Sequence, residues 1–265
     1  MITTKLQGGL GNQLFQYAAG RALSERHNTD LVLDIEFYGR QELRAYTLGK
    51  FSISARIASH KEPARADRLV EKGFSFDSRV PEAGPDTYLE GYWQSERYFK
   101  DIESVIRREF ALKDPGNGAF KEALAELGHG NSAVSLHVRR TDYLAPKHQG
   151  IYAQLTPAYY LNALQIIAEK NKDLRVIIFS DDVAWVKENL TLPFPTLYMS
   201  GRGFVDYEEL VLMSACAHHI TANSSFSWWG AWLNPRREKI VVTPEHWFVD
   251  GRDESDLIPP SWIRL

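Results

Sequence analysis

The sequence contains one cysteine, Cys216, among its 265 residues. One cysteine can form neither an intramolecular disulfide nor a cysteine-based zinc cluster. A chain of this length buries enough surface to fold without such cross-links. We therefore expect Cys216 to be a small buried hydrophobic residue, and nothing in the sequence requires an oxidising compartment.

Long hydrophobic runs are also missing. The compact apolar runs are short, as at 176–179, and the first residues lack the charged and apolar regions of a secretory signal. The sequence therefore predicts no transmembrane segment and a cytoplasmic location, with peripheral attachment to a membrane left open.

The chain has no strong excess of one charge. It contains 31 Lys and Arg residues and 34 Asp and Glu residues, which gives a net charge of −3. This balance argues against a protein that coats nucleic acid or an anionic membrane, so we expect no nucleic-acid partner. A local basic pocket for a phosphate group remains compatible with it.

Several sequence signatures of catalysis are absent. There is no Gly-Lys-Ser/Thr of a P-loop, no complete dinucleotide fingerprint and no Gly-x-Ser-x-Gly elbow. No two aspartates lie two residues apart, and the adjacent His218 and His219 would point to opposite faces of a strand. We therefore expect no metal site. Arginines, backbone N–H groups and hydroxyls would have to balance the charge of any phosphate ligand.

Candidate strands and helices alternate along the chain, most clearly in its second half. The predicted strands there are 133–138, 174–179, 196–199, 218–221 and 239–243. This alternation of strands and helices predicts an α/β fold with parallel sheets covered by helices. We divide it into two Rossmann-like domains, 1–125 and 126–265, because glycines cluster near residues 116–131; the tail from residue 247 is expected to return to the first domain. Residues 95–110 are predicted to form one helix capped by Ser95.

A glycine-rich loop lies between the first strand and the first helix. It supplies Gly9, Gly11, Asn12 and Gln13 as candidate ligand-binding residues. Glycines let the backbone approach a ligand, and a helix N-terminus offers N–H groups to an anion. The alternative is a tight turn in which Asn12 caps the helix.

The segment 137–142, His-Val-Arg-Arg-Thr-Asp, ends a predicted buried strand. Ligands of open α/β sheets bind at the carboxyl ends of strands. Arg139 and Arg140 there would match phosphate oxygens, and His137 lies beside them. Asp142 could hold a guanidinium, bind a ligand hydroxyl or act as a base. The alternative is an exposed salt-bridged turn.

Two further strand ends carry polar residues. Asp181 and Asp182 follow the most hydrophobic strand, and we expect one to bind a nucleoside and the other to cap the next helix. A second polar segment precedes a tryptophan-rich helix and consists of Asn223, Ser224, Ser225 and Phe226. Its hydroxyls could hold a phosphate, whereas at least two of the three tryptophans are expected in the core.

Five segments together resemble the bacterial α-1,2-fucosyltransferases, glycosyltransferase family 11. They are GGLGNQLFQYAAG (8–20), GYWQSERYF (91–99), HVRRTDY (137–143), FSDD (179–182) and NSSFSWWGAWL (223–233). The resemblance implies a GT-B type fold with a cleft between its two domains and metal-independent, inverting transfer from GDP-β-L-fucose. The implied acceptor is an oligosaccharide or glycolipid that ends in β-galactose. The product would carry Fucα1-2Gal, as in O-antigen or capsule synthesis.

The resemblance also implies roles for the candidate residues. Arg140 would bind the GDP diphosphate with support from Arg139, and His137 and Asp142 would line the pocket. Asp181 or Asp182 would contact guanosine, residues 224–226 would hold the phosphates and nucleoside, and residues 9–13 would face donor and acceptor. Asp142 is the nominal catalytic base; a base from the first domain, or none, remains an alternative.

Two other functions stay open on the sequence. One is a transferase for another nucleotide sugar, and the other is a non-catalytic glycan-binding module, suggested by the 12% aromatic content. The sequence does not indicate the oligomeric state.

Overall fold

The computed structural model describes residues 1–59, 67–114, 116–128, 131–141, 143–146 and 150–265. They form two compact units. The first comprises Met1–Asp114 with Arg252–Pro259, and the second comprises Pro115–Gly251 with Pro260–Leu265.

The first unit is built on a five-stranded parallel sheet with the order β3-β2-β1-β5-β4. Its strands and helices are β1 (Ile2–Lys5), α1 (Leu10–Arg26), β2 (Leu31–Asp34), β3 (Arg56–Ile57), β4 (Asp67–Val70), α2 (Arg79–Glu82), β5 (Thr87–Glu90) and α3 (Glu103–Glu109). Gly20 lets α1 lie close to the sheet, because a Cβ at that position would come within 2.9 Å of the Leu31 side chain.

The second unit is built on a six-stranded parallel sheet with the order β11-β10-β9-β6-β7-β8. Its elements are α4 (Gly118–Gly128), β6 (Ala133–Val138), α5 (Pro157–Lys170), β7 (Arg175–Ser180), α6 (Val183–Asn189), β8 (Thr196–Tyr198), α7 (Asp206–Ala215), β9 (His218–Ile220), α8 (Ser225–Leu233), β10 (Val241–Thr243) and β11 (Ile263–Arg264). Every residue of β6 is buried, as expected for a central parallel strand covered on both faces.

The predicted α/β class with two parallel sheets is confirmed. The division between the units falls after Asp114 instead of at 125/126, because α4 packs on α7 of the second unit. In the tail, residues 252–259 belong to the first unit, whereas the last residues form β11 in the second.

The single helix predicted for residues 95–110 is wrong. Two 3-10 turns, Glu96–Tyr98 and Lys100–Ile102, precede α3. Ser95 does act as an N-cap, since its hydroxyl accepts from the amide of Arg97 at 3.3 Å. The Phe99 ring is fully buried, 6.2 Å from that of Phe15, and its φ of −135° interrupts the helix. Tertiary packing therefore overrides the helical spacing of this segment.

The tryptophans of α8 belong to the core, as expected. Trp228 and Trp229 are fully buried and Trp232 is 4% exposed. The ring of Trp262, beside β11, lies 5.4 Å from that of Trp228 and adds a fourth indole to this cluster. Cys216 is also fully buried, which confirms its predicted role. Over the described ranges, each helix is too short or too polar to cross a bilayer.

Candidate functional site

The carboxyl ends of β6 and β7 lie side by side, with Val138 paired to Ser180. The carboxylate of Asp181, which follows β7, accepts hydrogen bonds from the residues that follow β6. One oxygen accepts from the amide of Arg140 at 2.9 Å; the other accepts from the amide and hydroxyl of Thr141 at 3.2 and 2.5 Å. Asp181 therefore fixes the backbone that carries the two arginines.

Both arginine side chains are held by carboxylates. Arg139 Nη1 lies 3.3 Å from an oxygen of Asp181, and Arg140 Nε lies 3.5 Å from one of Asp182. The guanidinium of Arg140 also lies over the Trp185 ring, 3.9 Å from its centroid. The two side chains are only 21% and 22% exposed, so they do not form the exposed turn considered as the alternative.

The Arg140 Nε is a buried donor without a hydrogen-bond acceptor among the described residues. Its distance to Asp182 gives charge attraction without hydrogen-bond geometry. An oriented guanidinium that keeps unused donor capacity suits an anionic ligand with several oxygens, such as a phosphate.

The two aspartates divide their roles in part as predicted. Asp182 is the N-cap of α6 and accepts from the amide of Trp185 at 3.0 Å. Asp181, expected to contact guanosine, is already engaged by three hydrogen bonds and an ion pair to residues 139–141. These contacts make Asp181 a positioning residue for the arginines, and its contact with guanosine stays a prediction.

His137 is buried at the same edge, 4% exposed, with its ring 5.7 Å from that of Phe226. Burial, together with the positive charge of Arg139, lowers the pKa of His137 to about 3. The imidazole is therefore neutral at working pH, and its Nδ1 has no hydrogen-bond partner among the described residues. Asp142 lies outside the described residues.

The segment before α8 reaches this edge because β9 is the other neighbour of β6. Ser224 is the N-cap of α8, but its side chain makes no capping hydrogen bond, and Ser225 is the first helical residue. The N-terminal amides of α8 thus begin where β9 ends. An anion is stabilised at such a position.

Asn223 differs from the prediction. Its side-chain amide donates to the carbonyls of Ala153 and Trp247, both at 2.9 Å, and its own carbonyl accepts from the hydroxyl of Tyr143. These bonds join three loops around the edge of the sheet. We therefore reassign Asn223 from donor binding to support of the loops.

Sequence analysis missed Glu209, on the first turns of α7. Its side chain hydrogen-bonds to Ser200, whose hydroxyl accepts from the amide of Ser180 at 2.9 Å. Glu209 thus lies near the carboxyl end of β7 and has no basic partner among the described residues. Burial, with the nearby charge of Asp206, raises its pKa to about 7. In the sequence it looks like an ordinary acidic residue at a helix N-terminus.

The glycine-rich loop belongs to the first unit. Gly8 has a φ of +81°, and a Cβ there would lie 2.6 Å from Asn12 Nδ2, so this position favours glycine. Its carbonyl accepts from the Tyr38 hydroxyl at 3.0 Å. The N-cap of α1 is Gly9, so the alternative in which Asn12 caps the helix is wrong. Asn12 instead accepts from Gln94 Nε2 at 2.9 Å.

Gln13 is fully buried and its amide is used within the fold. Its nitrogen donates to the Ala45 carbonyl at 2.9 Å, and its oxygen accepts from the amides of Thr47 and Leu48, each at 3.1 Å. Gln13 therefore holds the loop 45–48, and we reassign it from ligand binding to positioning. Gly11 is buried in the first turn of α1, so Gly9 and Asn12 remain the accessible candidates of this loop.

Residues 77–265 match the family described as glycosyl transferase family 11. The chain belongs to this family. It is therefore a glycosyltransferase.

Curated relatives match most or all of the chain. An alpha-1,2-colitosyltransferase of Escherichia coli is 29% identical, covering 100% of this chain and 99% of the relative. The O-antigen biosynthesis glycosyltransferase WbnK of the same species is 30% identical, covering 98% and 99%. Galactoside alpha-(1,2)-fucosyltransferase 1 of Mus musculus is 24% identical, covering 85% of this chain and 61% of the mouse protein.

Among solved structures, NodZ alpha-1,6-fucosyltransferase soaked with GDP-fucose matches with a TM-score of 0.56. Its sequence is 15% identical, and the match covers 91% of this chain and 94% of that one. This likeness concerns the fold, and the predicted GT-B type is confirmed.

The described residues contain no group of three or more His, Cys, Asp or Glu side chains that could hold a metal ion. The His219 ring is engaged with Ser135 Oγ at 2.7 Å and with Asn234 Nδ2 at 2.8 Å. Its neighbour His218 accepts from the Ile240 amide.

Proposed function

We propose that this glycosyltransferase moves L-fucose from GDP-β-L-fucose to the 2-hydroxyl of a terminal β-galactoside, with inversion. The observation that carries the proposal is the partly buried Arg139–Arg140 pair at the carboxyl end of β6, oriented by Asp181, Asp182 and Trp185. The family's named members in mouse and E. coli support an α-1,2 linkage and a deoxysugar donor.

The main catalytic demand is the negative charge that develops on the leaving diphosphate. In a single displacement, the acceptor oxygen bonds to C1 while the C1–O bond to GDP breaks, which inverts the anomeric centre. The guanidinium of Arg140 and the N-terminal amides of α8 would stabilise that charge. These groups let the transfer proceed without a divalent ion. The acceptor proton would pass to Asp142, to a base of the first unit, or to water.

Glu209 would recognise the guanine base. Guanine presents two adjacent donors, N1–H and the 2-amino group, which match the two oxygens of a carboxylate. Adenine and uracil do not offer this pair. The Glu209 carboxylate is half-buried beside the strand end and lacks a basic partner among the described residues, so those two donors would compensate its charge.

The acceptor in this proposal is an oligosaccharide or glycolipid that ends in β-galactose, used in O-antigen or capsule synthesis. Transfer would take place in the cytoplasm or at the inner membrane surface. Membership of a glycosyltransferase family leaves the glycan-binding alternative without support.

A second donor has a specific observation in its favour. The alpha-1,2-colitosyltransferase relative is aligned over the full chain. Colitose is L-fucose without its 3-hydroxyl, so the two donors differ by one polar group. A site that hydrogen-bonds this hydroxyl would reject the analogue that lacks it.

The deciding experiment measures GDP release from GDP-fucose and from GDP-colitose, with EDTA present, with and without lactose. Lactose-dependent release from GDP-fucose supports the proposal, and preference for GDP-colitose favours the second donor. Release only after a divalent ion is restored would overturn metal independence. If neither donor is consumed or bound, the GDP-sugar assignment is wrong.

A further inference from the structure

Trp93, in the first unit, has a left-handed backbone with a φ of +56°. This region is costly for a bulky residue and persists only where the surroundings enforce it. The residue is fully buried, and its ring lies 5.8 Å from that of Tyr98 in an edge-on arrangement. Something must therefore hold this turn in place.

The carboxylate of Glu71 holds it. The residue follows β4, and its two oxygens accept from the amides of Tyr92 at 2.6 Å and Trp93 at 2.8 Å. The carbonyl of Trp93 accepts in turn from the amide of Ser95 at 2.8 Å. Both polar backbone groups of Trp93 are thus fixed.

Gly91 makes room for this clamp. A Cβ at Gly91 would lie 2.4 Å from Glu71 Cβ and 2.8 Å from its Oε2. Any side chain there would push the carboxylate away from the two amides. The glycine, the carboxylate and the left-handed residue therefore form one interdependent arrangement.

The clamped turn ends at the glycine-rich loop. Gln94 directly follows Trp93, is 7% exposed, and donates its amide to Asn12 Oδ1 at 2.9 Å. Asn12 lies against Gly8, where no Cβ would fit. A displacement of the turn would therefore move the loop from which Gly9 and Asn12 are accessible.

We propose that Glu71 is a positioning residue of the transfer reaction: its ionised carboxylate holds the turn 91–94 so that Gln94 fixes the glycine-rich loop in its acceptor-binding conformation. The assignment of the loop to the acceptor rests on the proposed function, in which the family resemblance makes residues 1–125 the acceptor-side domain. The clamp itself rests only on the contacts within the first unit.

The clamp should respond to pH. Burial, aided by the charge of Asp77 and opposed by the two amide hydrogen bonds, raises the pKa of Glu71 to about 6. A protonated carboxyl places an O–H where one amide needs an acceptor, so the clamp weakens below that pH. The surrounding titratable groups are Asp77, Arg79, Tyr92, Tyr98, Glu90 and Lys5; Arg79 is paired with Asp77 and donates to the carbonyl of Val70 at 3.1 Å. Of these, Lys5 is paired with Glu90 at 2.8 Å.

The test compares the wild type with Glu71→Gln and with Asp67→Asn, which changes an exposed carboxylate on β4, the strand before Glu71. The side-chain oxygen of a glutamine can accept from one of the two amides, but its NH2 group would face the other amide, and both of these groups are donors. We expect the KM for the acceptor to rise about tenfold in Glu71→Gln, with a smaller change in GDP affinity, because Arg139 and Arg140, which bind the diphosphate in the proposed function, lie in the second unit. The KM of the wild type for the acceptor should fall as the pH rises through about 6, and this change should be absent from Glu71→Gln.

Hydrogen exchange of the segment 91–95 supplies a readout that does not depend on substrate. The amides of this segment should exchange faster in Glu71→Gln than in Asp67→Asn. Faster exchange without any change in acceptor KM would leave the clamp in place but overturn its role in the reaction. Unchanged exchange would overturn the clamp. Absence of transfer by the wild type counts against the proposed function alone.

Discussion

The guanidinium of Arg140 lies over the indole of Trp185, with its central carbon 3.9 Å from the ring centroid. The amide of Trp185 donates to Asp182, whose other oxygen lies 3.5 Å from Arg140 Nε. The Asp182 carboxylate is therefore the charge partner of Arg140 and, through the amide of Trp185, also positions the ring on which the guanidinium stacks. Such a site is specific for a planar cation with several donors.

The first prediction follows from that geometry. Arg140→Lys keeps the charge but loses the planar fork and the stacking, so we expect kcat to fall about 10²–10³-fold. Steady-state kinetics measures the loss, and thermal unfolding should stay close to that of the wild type. Arg237→Lys, at an exposed position of the same unit, is the matched control. Near-normal turnover of Arg140→Lys would remove the leaving-group role.

The second prediction concerns Asp181. Asp181→Asn leaves one oxygen in place of two and introduces donors opposite the backbone of residues 140–141, so we expect a loss of about 1–3 kcal/mol in unfolding free energy. Activity should fall as well, because the arginine backbone shifts. Chemical denaturation measures the first effect. Asp173→Asn, which is exposed, should change neither quantity.

The third prediction separates positioning from ligand binding at Gln13. Gln13→Ala removes the partners of three backbone groups in the loop 45–48, and we expect a loss of about 2–4 kcal/mol in unfolding free energy. GDP affinity, measured by calorimetry under conditions where the variant is folded, should be unchanged. A stable variant with weakened GDP binding would restore the original prediction that Gln13 contacts the donor.

The fourth prediction tests guanine recognition. We expect Glu209→Gln to weaken GDP about tenfold and to weaken inosine diphosphate, which lacks the 2-amino group, by less. Wild-type GDP affinity should rise with pH through about 7, where the carboxylate ionises, and Glu209→Gln should lose this dependence. Calorimetry across pH gives both results. Glu188→Gln, on exposed α6 surface, is the control, and equal losses for both nucleotides would contradict the assignment.

The fifth prediction uses the neutral state of His137. Its pKa is lowered in the folded chain, so the unfolded chain takes up a proton below about pH 6.5 that the folded chain refuses until about pH 3. This residue therefore lowers stability as pH falls through that window, by up to about 1.4 kcal/mol per pH unit. The raised pKa values of Glu71 and Glu209 act in the opposite direction. The difference between the wild type and His137→Asn isolates the contribution of His137, and identical slopes would show that it titrates normally.

The sequence predicted best those elements whose local pattern agrees with their burial. The strand β6 reads as an uninterrupted buried segment and is one. By contrast, β4 was not predicted, because Asp67–Val70 is largely exposed at the sheet edge and carries charged residues. The two-residue strands β3 and β11 are exposed as well. Their pairing comes from the neighbouring strand and not from a pattern of their own.

The candidate site shows the same limit. Arg139 and Arg140 could be predicted because a strand end and a charge pair are local features. Gln13 was misassigned because its partners at residues 45–48 are remote in sequence. Glu71 was not recognised because its significance depends on a turn 21 residues away.

The tryptophans are divided unevenly between the two units. Trp93 is the only one of the seven tryptophans in the ranges assigned to the first unit. In the second unit, neighbouring ring centroids among the α8 indoles and Trp262 lie 5.0 to 6.2 Å apart. Closely stacked chromophores couple electronically and give a strong circular-dichroism couplet that a solitary indole lacks. The molecule therefore carries two separate optical reporters: the couplet follows the second unit during unfolding, and the difference in emission between the wild type and a variant that lacks only Trp93 follows the first.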